Sequence, residues 1–575
     1  MSAFFLGRYW RSGAVDPAPA ERWAACLGGG VIGEPGFGLA AASQGAVITQ
    51  RGFEGSDDLL LLDGGLSGDC RADLRHRLGL AQASDARLIA RAFALWGIDA
   101  AKRLDGRFAL ALVDRRRECV WLLRDPLGEC TLFFAEQEGR LSVSTSVNAL
   151  IIAAGLPREE NAPAIARYFA LQAPAPGETY WRGVQSVEAG ACLWFTKDRK
   201  RSRRRTLALA QTALRFQSEI EATTAWRELL GAACARAIGA ARRPAVLLSG
   251  GIDSTALATL AAELRPDLLA VSWCLPGFPD ADESAWVAAT ADHLSIELKQ
   301  TKAGTDWPLA RVGEWAVDPD GPWVNPYRHL QDGVLREASA AGVDVILSGN
   351  FGDHLYPDVD PAGSPRAELR GQIRRRLECY PRLFAGLRRA LGRASALPHW
   401  LLPDWQQQLA GSVWAGSALL SPESIHDASL GRSYAARYGL DLRYVYRDPE
   451  VIAFMRALPA HWSLRQHRQK WITREILRGS IKESVRLRPK AGSLESYFRF
   501  AICEREAKTV SSLLNDKAAR WPEFVQEEML FGALSDPRDE SDLLLLWLAI
   551  SYELWWRAHR GLGPAVLAFP ASQSA

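Results

Sequence analysis

The 575-residue sequence lacks the cysteine spacing of a metal-binding or disulfide-rich protein. Its nine cysteines are scattered, odd in number and never spaced as Cys-x-x-Cys. We therefore expect neither a structural zinc site nor a disulfide framework, and this cysteine usage fits a reducing compartment. The sequence also lacks a strong excess of one charge, since 69 Lys and Arg residues face 66 Asp and Glu residues. Nothing in that balance demands a nucleic-acid partner.

Long hydrophobic runs are absent as well. The N-terminal segment MSAFFLGRYWRSG has no apolar core of the length that a secretory signal needs. The most apolar run near the C-terminus, LLLLWLAISY from Leu543, ends before Glu553, well short of the ~20 residues of a transmembrane helix. We therefore expect a soluble, cytoplasmic protein without a membrane partner.

The length of the chain exceeds what one hydrophobic core can organise, so at least two domains are expected. Up to about residue 195, short β-like runs such as FALALVD alternate with turns, and one helix-like stretch begins near Ser84 or Asp85. This pattern is typical of a sheet-rich α+β domain. The basic run from Lys197 to Arg205 is interpreted as a solvated linker that marks a boundary.

After this boundary, apolar strands such as PAVLLSGG and VDVILSGN alternate with helical stretches. That alternation predicts a parallel sheet covered on both faces. A helical pattern rich in Leu and Trp follows from about residue 365 to 560, and its apolar stripe is expected to form core. No internal repeat is present. We predict domains over residues 1–200 and 206–575, the second an α/β domain with a helical extension.

The segment VLLSGGIDSTA, residues 246–256, runs from an apolar strand through a Gly-rich turn directly into a helix. The N–H groups of such a turn and the positive end of the helix suit a phosphate. The spacing GxxxxGK[ST] of a Walker A loop is absent. Asp253 lies among the phosphate donors, as expected where Mg²⁺ bridges carboxylate and phosphate. The pyrophosphate end of ATP is the predicted occupant, and a plain turn capped by Asp253 and Ser254 is the alternative.

Two further segments extend this predicted site. The strand VDVILSGN ends at Ser348 and Gly349 and is followed by FGDHLYP, in which Asp353 is the candidate second Mg²⁺ ligand. Because ligands collect at the carboxyl ends of parallel strands, Asp253 and Asp353 are expected to lie close together. In RLRPKAG, Lys490 is a candidate cation for the negative charge that develops in acyl transfer. A loop Asp that caps a turn and an ordinary surface Lys remain the alternatives.

The order of these segments resembles the asparagine synthetase superfamily over nearly the whole chain. SDARLIARAFALWGIDAAKRLDGRFALALVDRRRECVWLLRDPLGECTLFF is similar to the family's glutaminase domain. SGGIDSTA, the acidic pair Asp282 and Glu283, SGNFGDHLYP and RLRPKAG follow its synthetase domain in order. The resemblance implies an Ntn-hydrolase-like αββα sandwich, then a parallel sheet like that of the PP-loop adenine nucleotide α-hydrolases.

The resemblance also implies ATP and Mg²⁺ as cofactors, with Asp253 and Asp353 as the metal ligands and Lys490 near the adenylated intermediate. The positions that match the family's ATP site are Leu248, Ser249, Gly250, Gly251, Asp253, Ser254, Thr255, Ser348 and Gly349.

The chain departs from the family's glutamine-dependent members at the N-terminus. Position 2 is Ser where those members carry a Cys nucleophile, and a hydroxyl without a tuned base is a far weaker nucleophile. The segment that usually supplies an oxyanion Asn reads DGGLSGD, with Asp63, and a carboxylate does not suit a place where negative charge develops. We therefore predict a glutaminase-like domain that is inactive, so that ammonia from glutamine is not the nucleophile.

The synthetase half departs from the family as well. In SGNFGDH, Asn350 and His354 stand where asparagine-forming members usually have Glu, and the β-lactam-forming branch has Tyr at the position of Asn350. Neither of these two patterns fits. The chain most resembles the remaining branch of the family, the lasso-peptide cyclases, which join a peptide's α-amine to an Asp or Glu side chain as a macrolactam. Trp323, Asn325 and Tyr327, with Asn350, are candidate peptide contacts, and ordinary packing is the alternative for the first three.

This resemblance implies a precursor core peptide as substrate, and a leader-binding protein and a leader protease as pathway partners. Three alternatives stay open. The chain could be an ammonia-dependent asparagine synthetase, a small-molecule amide or β-lactam synthetase of the same fold, or an inactive nucleotide-binding scaffold.

Overall fold

The computed structural model describes most of the chain. The described residues are 3–9, 18–27, 30–34, 39–44, 48–53, 56–137, 139–197, 200–204, 216–302, 309, 316–317, 320–356, 397–410, 421–459, 462, 464–465, 468–488, 494–562 and 566–567.

Two antiparallel six-stranded sheets form the N-terminal part. The strands are β1 (Ala3–Tyr9), β2 (Gly30–Glu34), β3 (Leu39–Gln44), β4 (Ile48–Phe53), β5 (Ser56–Leu66), β6 (Gly106–Asp114), β7 (Cys119–Arg124), β8 (Phe133–Gln137), β9 (Arg140–Ser144), β10 (Gln185–Ser186), β11 (Ala191–Phe195) and β12 (Lys200–Arg204). The spatial orders are β10-β8-β9-β1-β3-β2 and β12-β11-β7-β6-β5-β4. Side chains from both sheets meet in one apolar cluster, which includes Leu6 and Val143 from the first sheet and Leu61 and Leu122 from the second. This is the sheet-on-sheet core of the predicted αββα sandwich.

The described part of the N-terminal domain contains five α-helices, more than the single helix that the sequence pattern revealed. They are α1 (Ala18–Leu27), α2 (Gly68–Leu78), α3 (Asp85–Trp96), α4 (Val147–Ala154) and α5 (Ala162–Phe169). The predicted start of α3 is confirmed, because the Ser84 hydroxyl accepts the Arg87 N–H at 3.3 Å. Helix α4 was missed because it is apolar along nearly its whole length, VNALIIAA, and so shows no helical periodicity.

The interpretation of the basic run as a linker is wrong for Lys200–Arg204. These residues form the edge strand β12, which pairs antiparallel with β11. Arg204 lies opposite Ala191 at one end of the pair, and Lys200 lies opposite Phe195 at the other. Backbone pairing does not require apolar side chains, and charged residues are common on edge strands because they discourage further pairing. The second sheet therefore extends into the predicted boundary region.

The C-terminal part is built on a parallel sheet of five strands, as predicted. The strands are β13 (Pro244–Leu247), β14 (Leu269–Cys274), β15 (Glu297–Lys302), β17 (Val345–Ser348) and β18 (Asp441–Tyr444), in the order β15-β14-β13-β17-β18. Two short pairs accompany it, β16 (Ala316–Val317) with β21 (Val566–Leu567) and β19 (Leu464–Arg465) with β20 (Arg468–Gln469). The strand order reverses between β13 and β17. The crevice at the carboxyl ends of these two neighbouring strands is therefore the switch point where ligands bind in open α/β sheets.

Helices cover both faces of this sheet and continue beyond it. They are α6 (Glu219–Ile238), α7 (Ile252–Leu264), α8 (Ser284–Leu294), α9 (Arg328–Ala340), α10 (Gly352–Leu355), α11 (Pro403–Leu409), α12 (Pro422–Ala436), α13 (Pro449–Ala457), α14 (Trp471–Ile476), α15 (Glu483–Arg486), α16 (Glu495–Arg499), α17 (Ala507–Leu514), α18 (Glu527–Ser535) and α19 (Glu540–Arg560). Short 3-10 helices span Gly97–Lys102, Val445–Arg447 and Trp521–Glu523, and a π-helix spans Phe500–Arg505.

The long helix α19 joins the two halves through a shared core. Trp547 and Trp555 are fully buried, as expected from the Leu and Trp stripe. Both belong to one apolar cluster that also contains Leu150 and Tyr168 of the N-terminal domain. The Tyr168 hydroxyl donates to the Leu548 carbonyl at 3.1 Å. The N-terminal domain is therefore packed into the synthetase-like half rather than tethered to it.

Two further expectations concern cysteines and membrane spans. The cysteines described by the structure are free thiols, namely Cys70, Cys119, Cys130, Cys192, Cys234, Cys274 and Cys503. Within the described ranges, no helix is both long and apolar enough to cross a membrane.

Candidate active site

A cavity of about 1260 Å³ opens at the switch point of the parallel sheet. Its lining includes the following predicted site residues: Leu248, Ser249, Gly251, Asp253, Ser254, Trp323, Asn325, Tyr327, Ser348, Gly349, Asn350 and Asp353. Gly250 and Thr255 belong to the same loop but do not line the cavity. The fold thus brings nearly all described candidate residues to one place, although they come from three separate segments.

The loop after β13 presents its backbone donors toward this cavity. Gly250 has a φ of +78°, a left-handed conformation that favours glycine. The Ser254 hydroxyl donates to the Gly251 carbonyl at 3.0 Å and accepts the Ser249 N–H at 3.2 Å, which closes the loop on itself. Helix α7 begins after Gly251 without a side-chain cap. Its first N–H groups remain available to an anion, as the phosphate prediction requires.

Thr255 lies beneath the loop rather than beside the cavity. It is fully buried, and its N–H donates to the Gly251 carbonyl at 3.0 Å. Its place in the helix hydrogen-bond ladder indicates that it supports the loop.

Two glycines let the loop after β17 approach the first loop closely. A Cβ atom on Gly349 would lie 2.9 Å from the backbone nitrogen of Ser254. A Cβ atom on Gly352 would collide with the carboxylate of Asp253. Because neither glycine carries a side chain, the two loops meet backbone to backbone, and Asp353 reaches the side of Asp253.

Lys470 bridges the two predicted metal ligands. Its ammonium donates to Oδ2 of Asp253 and lies 2.6 Å from Oδ1 of Asp353. The Asp253 side chain is 10% exposed, whereas that of Asp353 is 83% exposed. One cation therefore already occupies the space between the carboxylates, which marks this space as suited to positive charge.

The donor set also fits Mg²⁺. Oδ1 of Asp253 is buried and has no hydrogen-bond partner among the described residues, so this oxygen is free to coordinate a metal. Mg²⁺ commonly takes one or two carboxylates together with phosphate oxygens and water. No cluster of three or more His, Cys, Asp or Glu ligands occurs in the part of the chain that the structure describes. A two-carboxylate site that is completed by phosphate is the arrangement that these residues support.

Burial and ion pairing shift the pKa values of Asp253 and Lys470. Burial raises the pKa of Asp253, although the Lys470 ammonium acts in the opposite direction. Burial lowers the pKa of Lys470, but the carboxylates of Asp253 and Asp353 outweigh it and leave that pKa raised. Lys470 therefore stays protonated and supplies a fixed positive charge at the site.

Sequence reasoning missed Lys470, and its backbone gives a second sign of function. Lys470 has a φ of +59° and Phe351, beside Asn350, has a φ of +70°. Non-glycine residues rarely adopt this conformation, and it persists where the surrounding structure enforces it. Lys470 lies in the sequence RQKWITREIL, where nothing local distinguishes it from a surface lysine.

The predicted segment RLRPKAG reaches the phosphate loop through Arg488. Its guanidinium donates to the Gly250 carbonyl and to Glu283 of the predicted acidic pair. Arg474 donates to the Arg488 carbonyl at 3.1 Å and holds this segment in place. Lys490 itself lies outside the described residues, so its role stays a prediction.

The cavity continues away from the phosphate loop toward Asn350, His354 and helix α12. His354 Nδ1 lies 3.0 Å from the hydroxyl of Ser424 on that helix. Asp427, one turn further along, lines the cavity. Burial raises the pKa of Asp427 to about 6, with repulsion from Glu423 adding to it. This carboxyl was not singled out from the sequence, because a lone Asp in a helical pattern carries no local signal.

The three candidate peptide contacts, Trp323, Asn325 and Tyr327, have different surroundings. Trp323 is 8% exposed and packs against Tyr434 with ring centroids 5.2 Å apart, so most of its ring belongs to the core. The side-chain oxygen of Asn325 accepts the Tyr327 N–H at 2.9 Å, which shapes the loop. The Tyr327 ring contacts Phe498 edge to face. All three line the cavity, but packing accounts for most of the Trp323 contacts.

Asp63, which stands in the segment that usually supplies an oxyanion Asn, lies in the N-terminal domain. Asp63 is on β5, opposite Ala109 of β6. Burial raises the pKa of the Cys130 thiol, and the carboxylate of Asp63 raises it further. Asp63 thus places a negative charge near this strand end, where a developing oxyanion would be disfavoured, although Arg107 acts in the opposite direction. Ser2 lies outside the described residues.

Comparison with known proteins finds a matching family model for each half of the chain. Residues 225–557, more than half of the chain, match the model of the asparagine synthase family, and residues 68–206 match that of a glutamine amidotransferase domain. The chain is similar to a putative glutamine-hydrolysing asparagine synthetase of Mycobacterium tuberculosis, with 26% identity over 479 residues, 74% of this chain and 72% of the relative. It is also similar to the carboxyethyl-arginine beta-lactam-synthase of Streptomyces clavuligerus, with 29% identity over 292 residues, 49% of this chain and 54% of the relative.

Proposed function

The chain belongs to the asparagine synthase family of ATP-dependent, AMP-releasing carbon–nitrogen ligases, and we propose that it is a lasso-peptide cyclase. In the proposed reaction, the side-chain carboxylate of an Asp or Glu in a leader-cleaved core peptide is adenylated. The N-terminal amine of the same peptide then captures it as a macrolactam, and AMP and pyrophosphate are released. The observation that carries the proposal is the large cavity joining the phosphate loop to Asn350 and Asp427.

The phosphate end of this cavity suits ATP. The residues from Ser249 to Thr255, with Ser348 and Gly349, form the proposed nucleotide site. Asp253 and Asp353 would hold Mg²⁺, which supplies neutralisation of phosphate charge when bound. Lys470 and Arg488 add positive charge beside the same loop.

The first proposed step is attack of the peptide carboxylate on the α-phosphate. The bond between the α- and β-phosphates breaks, and pyrophosphate leaves with the bonding electrons. Negative charge grows on the leaving oxygen, so the fixed ammonium of Lys470 stabilises the transition state more than the ground state. Lys490, as proposed from the family pattern, stabilises the oxyanion of the second step.

The second proposed step needs a neutral amine. A peptide N-terminus is mostly protonated at neutral pH, since its usual pKa is about 8. Asp427 is ionised above its pKa of about 6, and among the described residues its carboxylate forms no hydrogen bond or ion pair. We propose that it accepts a proton from the ammonium. The amine then attacks the acyl-adenylate, the second proton on its nitrogen passes to the phosphate of the departing AMP, and the amide bond is complete.

The size and lining of the cavity support a peptide rather than ammonia. Pockets for small ligands usually measure roughly 300–1000 Å³, and this cavity exceeds that range. Asn350 and His354 replace the carboxylates that the asparagine-forming pattern has at these positions. Because the amine and the acid belong to one peptide, the burden on the enzyme is positioning, which a shaped cavity supplies.

A leader-cleaved substrate implies the two pathway partners named above. A leader-binding protein and a leader protease would deliver the core peptide with a free amine, in the cytoplasm. Nucleic acid has no part in the proposed reaction.

The proposal is tested with purified protein, ATP, Mg²⁺ and synthetic linear peptides that carry a free N-terminus and one Asp or Glu. We expect mass spectrometry to show loss of one water from the peptide, with AMP and pyrophosphate formed in equal amounts. The same peptide with an acetylated N-terminus is the matched control and should stay linear. Formation of ADP and orthophosphate during cyclisation would contradict the mechanism.

The alternatives are separated by the same assay. The relative from Streptomyces clavuligerus favours a small-molecule amide or β-lactam synthetase as the second candidate. Asparagine formed from aspartate and ammonia would replace the proposal with an ammonia-dependent synthetase. An inactive scaffold would bind nucleotide without releasing pyrophosphate from any acid. Retention of Asp253, Asp353 and Lys490 from the family pattern argues against it, as does the ion pairing of both carboxylates with Lys470.

A further inference from the structure

We propose that Glu129 of the N-terminal domain is a positioning residue for the metal-binding loop of the synthetase domain. The inference rests on the proposed nucleotide site and extends it to the glutaminase-like domain, which is predicted to be inactive. Glu129 holds two arginines, each of which lies over one of the two aromatic rings that support the loop containing Asp353.

The first link is a buried cluster between the domains. Oε1 of Glu129 accepts from Nε of Arg447 at 2.5 Å, and its other oxygen pairs with Arg432. Arg447 also donates to the Leu127 carbonyl at 2.7 Å. The side chains of Arg447 and Glu129 are 1% and 9% exposed. Breaking such a pair from one side leaves a buried charge without its counterion, which is strongly unfavourable.

The second link joins this cluster to the site. The guanidinium of Arg447 lies 5.0 Å from the centre of the Phe351 ring, and that of Arg432 lies 5.2 Å from the Tyr444 ring. The Phe351 and Tyr444 rings contact each other edge to face at 4.9 Å. Each guanidinium can attract the ring it covers through a cation–π interaction. Glu129 thus orients both cations that hold this ring pair.

The third link is the strained backbone of Phe351. A bulky residue at a φ of +70° keeps that conformation only when its surroundings enforce it. Phe351 directly precedes Gly352, which is packed against Asp253, and Asp353, which pairs with Lys470. A shift of the Phe351 ring would therefore move Asp353 away from Asp253.

The turn that carries Glu129 is itself rigid. The carboxylate of Asp125 accepts the N–H groups of Leu127, Glu129 and Cys130 at 3.0 to 3.1 Å. The guanidinium of Arg124 donates to the Gly128 carbonyl at 2.8 Å. This fixed turn gives Arg447 a firm anchor. It would also give a structural role to a glutaminase-like domain that is predicted to be inactive.

The test compares the affinities of two nucleotides in the full-length protein by calorimetry. One is α,β-methylene-ATP with Mg²⁺, which cannot be cleaved between the α- and β-phosphates, and the other is AMP without metal. In Glu129→Gln we expect the Kd of the magnesium complex to rise at least about 10-fold while the Kd of AMP is unchanged. A general loss of structure would weaken both.

Glu160→Gln is the matched control, because Glu160 also forms an ion pair between the domains, with Arg560 at 3.1 Å, and its side chain is 13% exposed. That pair does not touch the Phe351 loop, so both affinities should stay at the wild-type level. Equal magnesium–nucleotide affinity in Glu129→Gln and Glu160→Gln would overturn the inference.

A second variant covers the case in which Glu129→Gln does not fold. Phe351→Leu removes the ring under Arg447 and leaves the ion pair in place, so the same selective loss is expected. Unchanged affinity in Phe351→Leu would also overturn the inference. If wild-type protein binds neither nucleotide, the proposed nucleotide site fails and the inference fails with it, whereas normal wild-type binding with unaffected variants refutes the inference alone.

Discussion

The ammonium of Lys470 lies 2.6 Å from the carboxylate of Asp353 and also contacts Asp253. The two carboxylates come from different loops of the sheet, and the lysine comes from a third segment more than 100 residues further along the chain. This relationship, rather than any one motif, defines the centre of the site. Its consequences can be measured.

Replacing Lys470 by Met should lower kcat for pyrophosphate release by ~10²-fold, a typical effect of removing one fixed group that stabilises transition-state charge. The variant also leaves Asp253 and Asp353 without their shared cation. Lys482→Met is the control, since Lys482 is exposed and is not among the residues that line the cavity. The measurement is the initial rate of pyrophosphate release with a peptide substrate. Equal rates in the two variants would contradict the assigned role.

Replacing Gly352 by Ala should abolish measurable binding of the magnesium–nucleotide complex. The added Cβ atom would collide with the carboxylate of Asp253 and force the two loops apart. Gly532→Ala is the matched control, because Gly532 lies in helix α18 with open space around its Cα and Ala is the better helix former by about 1 kcal/mol. Calorimetry with α,β-methylene-ATP should show normal binding in the control alone.

Asp427 predicts a pH dependence of amide formation. Burial and the charge of Glu423 raise the pKa of Asp427 to about 6, while Arg447 acts in the opposite direction and the hydroxyl of Tyr444 is also nearby. The rate should therefore rise as the pH passes through about 6 and the carboxylate becomes able to accept a proton. In Asp427→Asn this rise of the rate with pH, the acidic limb of the profile, should vanish. Amide formation should also fall by ~10²-fold.

Two controls isolate this role from adenylation. Above neutral pH hydroxylamine is an uncharged nucleophile that needs no base to deprotonate it, so hydroxamate formation by Asp427→Asn at such a pH should stay near the wild-type rate. Glu423→Gln removes a nearby negative charge, which should lower the pKa of Asp427 and move the limb to lower pH. An unchanged pH profile in Asp427→Asn would show that another group accepts the proton.

Asp441 predicts an acid dependence of stability. Burial opposes its ionisation, but the guanidinium of Arg107, with Nη1 2.7 Å from Oδ1, and that of Arg443 outweigh burial and lower its pKa to about 2. A depressed pKa stabilises the folded state above the usual Asp value of about 3.9, and this contribution is lost as the pH falls through about 2. Asp441→Asn should reduce the free energy of unfolding at neutral pH by about 2 kcal/mol.

The same variant should flatten the fall in stability between about pH 4 and pH 2. Urea unfolding at several pH values measures both effects. The exposed residue Asp292 provides the control, because Asp292→Asn should change neither quantity. A wild-type slope in Asp441→Asn would mean that other carboxyls account for the acid dependence.

Much of the fold followed from local patterns, and the exceptions have physical reasons. The apolar strands of the parallel sheet and the start of α3 at Ser84 were visible because burial on both faces and helix capping depend on neighbouring residues. Helix α4 was not, because an all-apolar helix has no periodicity. The edge strand at Lys200–Arg204 was not, because its place in the sheet depends on its partner β11 rather than on its own composition.

The sequence by itself determined the family and predicted a nucleotide-type loop with Asp253, because a strand, a glycine turn and a helix N-terminus that suit a phosphate come from adjacent residues; it also predicted Asp353 after a second strand. Only the tertiary structure decided that Lys470 bridges the two carboxylates, that Asp427 faces the same cavity, and that Glu129 reaches Arg447. The donor and acceptor in the last pair are 318 positions apart. Contacts at such separations arise when whole domains pack together, and no local pattern of residues encodes them.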